Sequence, residues 1–107
     1  MKDVNDIWSE PFSAEFAEKL VAINESSLMR AFLRDVMTES ELREIGARLR
    51  AAQMLSEGQT YKAIVCETKL SSRTVARISD WMQRGAGGYT AVLSDIHHIH
   101  SSPARAE

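Results

Sequence analysis

Apolar residues recur at intervals of three and four residues along most of this 107-residue chain. Such spacing places apolar side chains on one face of an α-helix. It predicts helices over residues 11–23 and 28–36, and a longer helix over residues 38–57. Thr38 followed three residues later by Glu41 is typical of a capping box at the start of the third helix. No segment alternates apolar and polar residues as a half-buried strand would, so the pattern predicts an all-α fold.

The segment TYKAIVCETKLSSRTVARISDWM, residues 60–82, is typical of two short helices joined by a tight turn. A helix-turn-helix motif needs an apolar contact on its first helix, a turn residue and two apolar anchors on its second helix. Val65, Lys69, Val75 and Ile78 occur in that order, at offsets of four, ten and thirteen residues from the first. Lys69 stands where glycine is usual, and a left-handed backbone there costs on the order of 1 kcal/mol. A packed domain tolerates such strain, so we predict a helix-turn-helix.

The second helix of this motif has one apolar face, formed by Val75, Ile78 and Met82, so its other side chains point outward. Arginine can bond guanine through two hydrogen bonds in the major groove, and hydroxyl groups can bond bases or phosphates. The free N–H groups at the start of a helix also attract phosphate. The predicted DNA-binding residues are Lys62, Lys69, Ser71, Ser72, Arg73, Thr74 and Arg77.

The charge of the chain is unevenly distributed. The formal net charge is −2, which by itself disfavours binding to nucleic acid. Residues 60–84, however, contain five basic and two acidic residues, whereas residues 1–59 contain seven basic and eleven acidic residues. Salt screens charges beyond about 8–10 Å, so a local cationic patch decides phosphate binding. The predicted DNA-binding segment carries that patch.

Composition argues against several other kinds of protein. Cys66 is the only cysteine, which excludes an intramolecular disulfide and a thiolate zinc site. No acid–base pair or catalytic triad is visible, so we expect no enzymatic activity. His97, His98 and His100 are expected to lie in a solvated tail and to bind no metal. No apolar run suits a membrane span or a signal peptide, so a cytoplasmic protein without a membrane partner is predicted.

The stretch MTESELREIGARLRAAQMLSEGQTYKAI, followed by LSSRTVARISDWMQRGAGGY, resembles the Trp repressor superfamily, and within it the Trp-repressor-related YerC/YecD family. The resemblance covers residues 28–95 and implies an intertwined homodimer that binds double-stranded DNA at two half-sites about 34 Å apart. It also implies a division into an N-terminal arm with dimerisation helices, residues 1–37, and a helix-turn-helix domain, residues 38–96. Residues 97–107 would form a flexible tail.

The resemblance also bears on a small-molecule effector. Arg48 and Arg77 match the two arginines that sandwich the indole ring in the Trp repressor, so they are the candidate effector-pocket residues. Ile78, however, replaces the glycine that follows the second arginine, and Trp81 stands where a small polar residue would hold the ligand's amino group. We therefore expect no tryptophan corepressor and no other cofactor, and the residues identify no small-molecule effector.

These observations predict a sequence-specific DNA-binding regulator of transcription that acts as a homodimeric repressor. Two alternatives remain open. One is a helix-turn-helix adaptor whose basic face docks an acidic protein, and the other is a small-molecule sensor without an operator. An adaptor would bind DNA weakly and lose that binding near physiological salt, whereas a sensor would respond to a metabolite only.

Overall fold

The computed structural model describes residues 6–94, and the regular secondary structure of these residues is entirely helical. A 3₁₀ helix, Ile7–Ser9, precedes five α-helices. These are α1 (Pro11–Ala22), α2 (Ser26–Val36), α3 (Glu39–Ser56), α4 (Tyr61–Thr68) and α5 (Ser72–Arg84). Residues 88–94 are also helical, and no strand occurs within residues 6–94. The predicted all-α fold is therefore confirmed, whereas the predicted tail, residues 97–107, lies outside the described residues.

The chain forms two compact units that meet in sequence between Leu42 and Arg43, inside α3. The predicted capping box starts this helix: the Thr38 N–H donates to a Glu41 carboxylate oxygen at 2.8 Å, and the Glu41 N–H donates to the Thr38 hydroxyl oxygen at 3.1 Å. Two otherwise unpaired N–H groups are thereby satisfied. The local prediction for the start of α3 is thus confirmed.

The first unit contains the 3₁₀ helix, α1 and α2. A Glu25 carboxylate oxygen accepts a hydrogen bond from the Leu28 N–H at 3.2 Å and so caps α2. The rings of Phe16 on α1 and Phe32 on α2 lie 6.0 Å apart between centroids. Among residues 6–42, however, no residue is buried. The apolar faces of α1 and α2 therefore enclose no core among these residues.

The second unit has a core formed by α3, α4 and α5. Its buried residues are Ala51, Ala52, Met54, Ile64, Val75 and Ile78. The two alanines let neighbouring helices approach α3 closely, since they add little volume beyond the backbone. Tyr89 and Leu93, from the last helical segment, pack against the edge of this core. The core thus lies directly behind the segment predicted to bind DNA.

Candidate nucleic-acid interface

Helix α4, the turn after it and α5 form the predicted helix-turn-helix. The Thr60 hydroxyl caps α4 by accepting from the Ala63 N–H at 3.1 Å. Val75 and Ile78 of α5 are fully buried, and Ile64 of α4 is buried with them. Val65 at the helix contact is half-buried, so a residue larger than alanine is accommodated there. Both apolar anchors of the predicted motif therefore hold α5 against the core.

The turn contains the left-handed residue that the sequence pattern placed there. Lys69 has φ 64° and ψ 12°, and within residues 6–94 it is the only non-glycine residue with positive φ. Its N–H donates to the Val65 carbonyl oxygen at 2.9 Å, which closes the end of α4. Its ammonium group donates to the Cys66 carbonyl oxygen at 2.9 Å. The lysine thus stabilises the C-terminus of α4, where carbonyl groups carry partial negative charge.

Replacing Lys69 with glycine should raise the free energy of unfolding by up to about 1 kcal/mol, since glycine adopts positive φ without a Cβ clash. The lost ammonium contact and the greater entropy of the unfolded chain oppose this gain and limit it. Urea unfolding followed by circular dichroism measures the change. The matched control is Lys62→Gly in the first turn of α4, which should lose about 0.5–1 kcal/mol. Equal losses in both variants would contradict the strain assigned to Lys69.

Two of the three hydroxyl groups at the start of α5, those of Ser71 and Thr74, are hydrogen-bonded to each other. The Ser71 hydroxyl oxygen accepts from the Thr74 N–H at 3.1 Å, and the two hydroxyl groups are also 3.1 Å apart. Thr74 is half-buried, whereas Ser72, the next residue after the cap, is exposed. Ser71 and Thr74 therefore shape the start of the helix, and Ser72 keeps a hydroxyl directed to solvent.

Two arginines stand on the outer face of α5. Arg73 and Arg77 are exposed, and within residues 6–94 neither forms a salt bridge with an acidic side chain. Asp80, the acidic residue of α5, is hydrogen-bonded by Arg84. Ala76 lies between the two arginines in sequence and is exposed as well. The outer face of α5 thus combines two available guanidinium groups with a small side chain that permits close approach.

The acidic residue of α4 is also neutralised. The Nε group of Arg50 on α3 donates to a Glu67 carboxylate oxygen at 2.9 Å. Both side chains are about half exposed, so this pair contributes at most about 1 kcal/mol to stability. The pair also offsets negative charge in the predicted DNA-binding segment. Both acidic residues of segment 60–84, Glu67 and Asp80, are paired with arginine. Sequence reasoning missed Arg50, since seventeen residues separate it from Glu67 and no local signal joins them.

Comparison with known proteins decides the family. The sequence profile described as "Trp repressor protein" matches residues 13–97. The chain belongs to the Trp repressor family. It is 34% identical over 65 residues to the "Uncharacterized protein YerC" of Bacillus subtilis (strain 168), a match that covers 61% of this chain and 62% of YerC. This likeness agrees with the predicted resemblance to the YerC/YecD family, and the match spans less than two thirds of that relative's length.

The fold agrees with that assignment. The crystal structure of a TrpR-like protein from Eubacterium eligens ATCC 27750 superposes with a TM-score of 0.81 at 24% sequence identity. The match covers 87% of this chain and 96% of the other. The Trp repressor family is a regulatory DNA-binding family, not an enzymatic one, with a helix-turn-helix as its DNA-binding element. The predicted general function is thereby supported by family membership.

The two candidate effector-pocket residues have different surroundings in this member of the Trp repressor family. The guanidinium carbon of Arg48 lies 5.8 Å from the centroid of the Trp81 ring. Two nitrogens of the same guanidinium donate to a Glu44 carboxylate oxygen, at 3.2 and 2.9 Å. Ile78 is fully buried in the core. Arg48 is therefore engaged by side chains of its own chain, while Arg77 stands on the outer face of α5.

An apolar cleft of about 520 Å³ adjoins the Trp81 ring in the second unit. It is lined by Leu49, Trp81, the Gly85–Gly88 loop, Tyr89 and Val92. Leu49 on α3 is 38% exposed, and Trp81 on α5 is 41% exposed. This family member therefore presents apolar surface on its second unit as well as on its first.

Two further predictions concern metals and membranes. Among residues 6–94, no three His, Cys, Asp or Glu side chains are grouped so that they could hold a metal ion. His97, His98 and His100 lie outside these residues, so their predicted solvated state stays a prediction. In the described part of the chain, no helix is both long enough and apolar enough to cross a bilayer.

Proposed function

We propose that this protein is a sequence-specific repressor of transcription that acts in the cytoplasm as a homodimer and inserts α5 into the major groove of its operator. The observation that carries the proposal is the outer face of α5, where Arg73 and Arg77 have no acidic partner within residues 6–94. The opposite face is held by Val75 and Ile78, both fully buried. A helix anchored on one face and cationic on the other suits DNA recognition.

The spacing of the arginines suits contacts with base pairs that lie two steps apart. Arg73 and Arg77 are four residues apart, which corresponds to a rise of about 6 Å along an α-helix. Two base-pair steps along one strand of B-DNA span about 6.8 Å, a closely similar length. Each guanidinium can donate two hydrogen bonds to the O6 and N7 atoms of guanine. We therefore assign base recognition to Arg73 and Arg77, with Ser72 beside them.

Backbone phosphates are assigned to residues around the turn. Lys62 is exposed in the first turn of α4. The N–H groups of Ser72 and Arg73 lie in the first turn of α5, where unpaired N–H groups favour an anion. Lys69 is exposed, so its ammonium group can leave the Cys66 carbonyl oxygen for a nearby phosphate. Such contacts orient a protein on DNA without selecting sequence.

The exposed apolar surface supports the proposed homodimer. Phe12 and Val21 on α1 are 88% and 84% exposed, and Leu28 on α2 is 54% exposed. Soluble monomers rarely leave extended apolar patches uncovered. The first unit has no buried residue among residues 6–42, so it needs another surface to complete a core. A second copy of this chain supplies that surface in the proposed assembly and brings two α5 helices together on one operator.

The contacts of Arg48 support operator binding without a tryptophan corepressor. Its guanidinium already contacts the Trp81 ring and the Glu44 carboxylate. Ile78 stands where the Trp repressor has glycine, and its side chain is fully buried. A free indole would have to displace one of these groups, and displacing Ile78 would open the core. We therefore propose that no corepressor is required.

Selection from random-sequence duplex DNA with the purified protein tests this function. The expected product is a two-fold symmetric sequence with half-sites about 34 Å apart, bound without added tryptophan and retained against excess random duplex. Binding that is equally weak for every duplex and disappears near physiological salt would instead support an adaptor. An asymmetric single site would contradict the homodimer, and an operator bound only with added tryptophan would contradict the corepressor proposal.

A further inference from the structure

A chain of side-chain contacts links the middle of α3 to the C-terminal half of α5. Glu44 holds the edge of the Arg48 guanidinium through hydrogen bonds of 3.2 and 2.9 Å. The guanidinium carbon lies 5.8 Å from the centroid of the Trp81 ring, within the range of a cation–π interaction. About a third of the Arg48 side chain is exposed, so the contact is partly shielded from water. We call these three residues the Glu44–Arg48–Trp81 cluster.

The position of Trp81 along α5 relates this cluster to the proposed DNA contacts. Arg73, Arg77 and Trp81 follow one another at intervals of four residues. Residues at this interval lie along one side of a helix, each displaced by about 40° from the one before. Any rotation of α5 about its axis that moves Arg77 must therefore move the Trp81 ring. A contact that restrains the ring restrains the direction of both arginines.

The end of α5 restrains Trp81 from the backbone side. The Gly85 N–H donates to the Trp81 carbonyl oxygen at 2.8 Å. A Cβ atom at Gly85 would lie 2.5 Å from that oxygen, closer than real Cβ atoms approach. The chain can therefore turn this tightly against Trp81 only with glycine at position 85. Backbone and side chain of Trp81 are each held by a separate part of the second unit.

We infer that Trp81 is a positioning residue for DNA recognition: the Glu44–Arg48–Trp81 cluster sets the rotation of α5 and hence the direction of Arg73 and Arg77. The inference rests on the proposed function. Val75 and Ile78 hold α5 through apolar contacts, which are not directional. The cluster adds a directional contact one turn beyond Arg77. Because all of its groups belong to the chain itself, α5 is set for operator binding with no small molecule bound.

Three variants test the positioning role. Trp81→Leu removes the aromatic face, Arg48→Met removes the charge but keeps a long apolar side chain, and Trp81→Phe keeps an aromatic ring. The affinity of each for the selected operator and for random duplex is measured at one salt concentration. We expect Trp81→Leu and Arg48→Met to weaken operator binding about 3- to 10-fold, with random-duplex binding nearly unchanged. Trp81→Phe should stay close to the wild type.

The double variant and the ratio of the two affinities separate positioning from other roles. If the two residues act as one contact, Trp81→Leu combined with Arg48→Met should lose little more than either single variant. Equal losses on operator and random duplex in Arg48→Met would show a phosphate contact and overturn the inference. An unchanged ratio of operator to random-duplex affinity in both single variants would overturn it as well.

A measurement without DNA distinguishes failure of this inference from failure of the proposed function. The chain has two tryptophans, so Trp8→Phe leaves Trp81 as the sole indole fluorophore. In that background, Arg48→Met should shift the Trp81 emission and increase its quenching by acrylamide, and Lys62→Met, away from the cluster, should leave both unchanged. Absence of any change in Arg48→Met would overturn the cluster itself. If no operator is selected but the emission changes, the proposed function fails and the positioning role falls with it, while the contact stands.

Discussion

Replacing Ile78 with alanine should lower the free energy of unfolding by about 2–5 kcal/mol. Ile78 is fully buried among side chains of α3, α4 and α5. The substitution removes three carbon atoms from this core and leaves a cavity that a well-packed helical unit fills only in part. A loss of that size is a large fraction of the stability of a small domain, which is about 5–15 kcal/mol. Urea unfolding at one fixed protein concentration measures it.

The matched control for Ile78→Ala is Gln83→Ala on the same helix. Gln83 is exposed, and its contact is a hydrogen bond of 3.3 Å to the Ser79 hydroxyl. Its replacement should change the free energy of unfolding by no more than about 0.5 kcal/mol. Protein concentration must be the same in every titration, since the stability of the proposed homodimer depends on it. Similar small losses in both variants would show that Ile78 does not anchor α5.

Replacing Arg73 with alanine should weaken operator binding by about 1–3 kcal/mol, roughly 5- to 150-fold, and relax the preference for guanine at one position of the half-site. Arg73 is exposed on the outer face of α5 and has no acidic partner within residues 6–94. No ion pair inside the protein must therefore break before it contacts a base. Competition titrations with the selected operator and with single-base variants of it measure both effects. Arg77→Ala should cause a similar loss of affinity and relax the guanine preference at a second position of the half-site.

Lys62→Ala is the control that separates base contacts from phosphate contacts. Lys62 carries the same charge as Arg73 but stands on α4, outside the proposed recognition helix. Its replacement should weaken operator and random duplex alike and reduce the salt dependence of binding by about one counterion. If Arg73→Ala bound the operator as tightly as the wild type, the base contact assigned to it would be wrong. If Arg73→Ala and Lys62→Ala had the same effects, Arg73 would be a phosphate contact.

Local features of the fold were predictable because their causes lie within a few residues of the chain. The capping box of Thr38 and Glu41 depends on one three-residue interval, and the structure has both of its hydrogen bonds. The anchors Val75 and Ile78 follow from helical periodicity, and both are fully buried. The left-handed turn at Lys69 follows from its place in the motif. In each case the sequence interval and the spatial contact are set by the same helical geometry.

The candidate site was only partly predictable from the sequence. Ser71 and Thr74 were predicted to contact DNA together with Arg73 and Arg77, and this stays a prediction; in the structure the Ser71 hydroxyl caps α5 and also donates to the Thr74 hydroxyl. A serine just before a helix is typical of both roles, and the observed hydrogen bonds show that capping engages the Ser71 hydroxyl. Arg48 was considered for an effector pocket because of the family resemblance. Its contact with Trp81 depends on how α3 and α5 pack, which no local pattern describes.

The sequence by itself determined the helices, the capping box of α3, the helix-turn-helix and the cationic segment 60–84, since each depends on neighbours within one or two helical turns. Only the tertiary structure decided which charges stay available for a partner. It pairs Glu67 with Arg50 and places Arg48 against the Trp81 ring, whereas Arg73 and Arg77 stay on the outer face of α5. These choices depend on distances between helices that are far apart in sequence, and packing alone sets those distances.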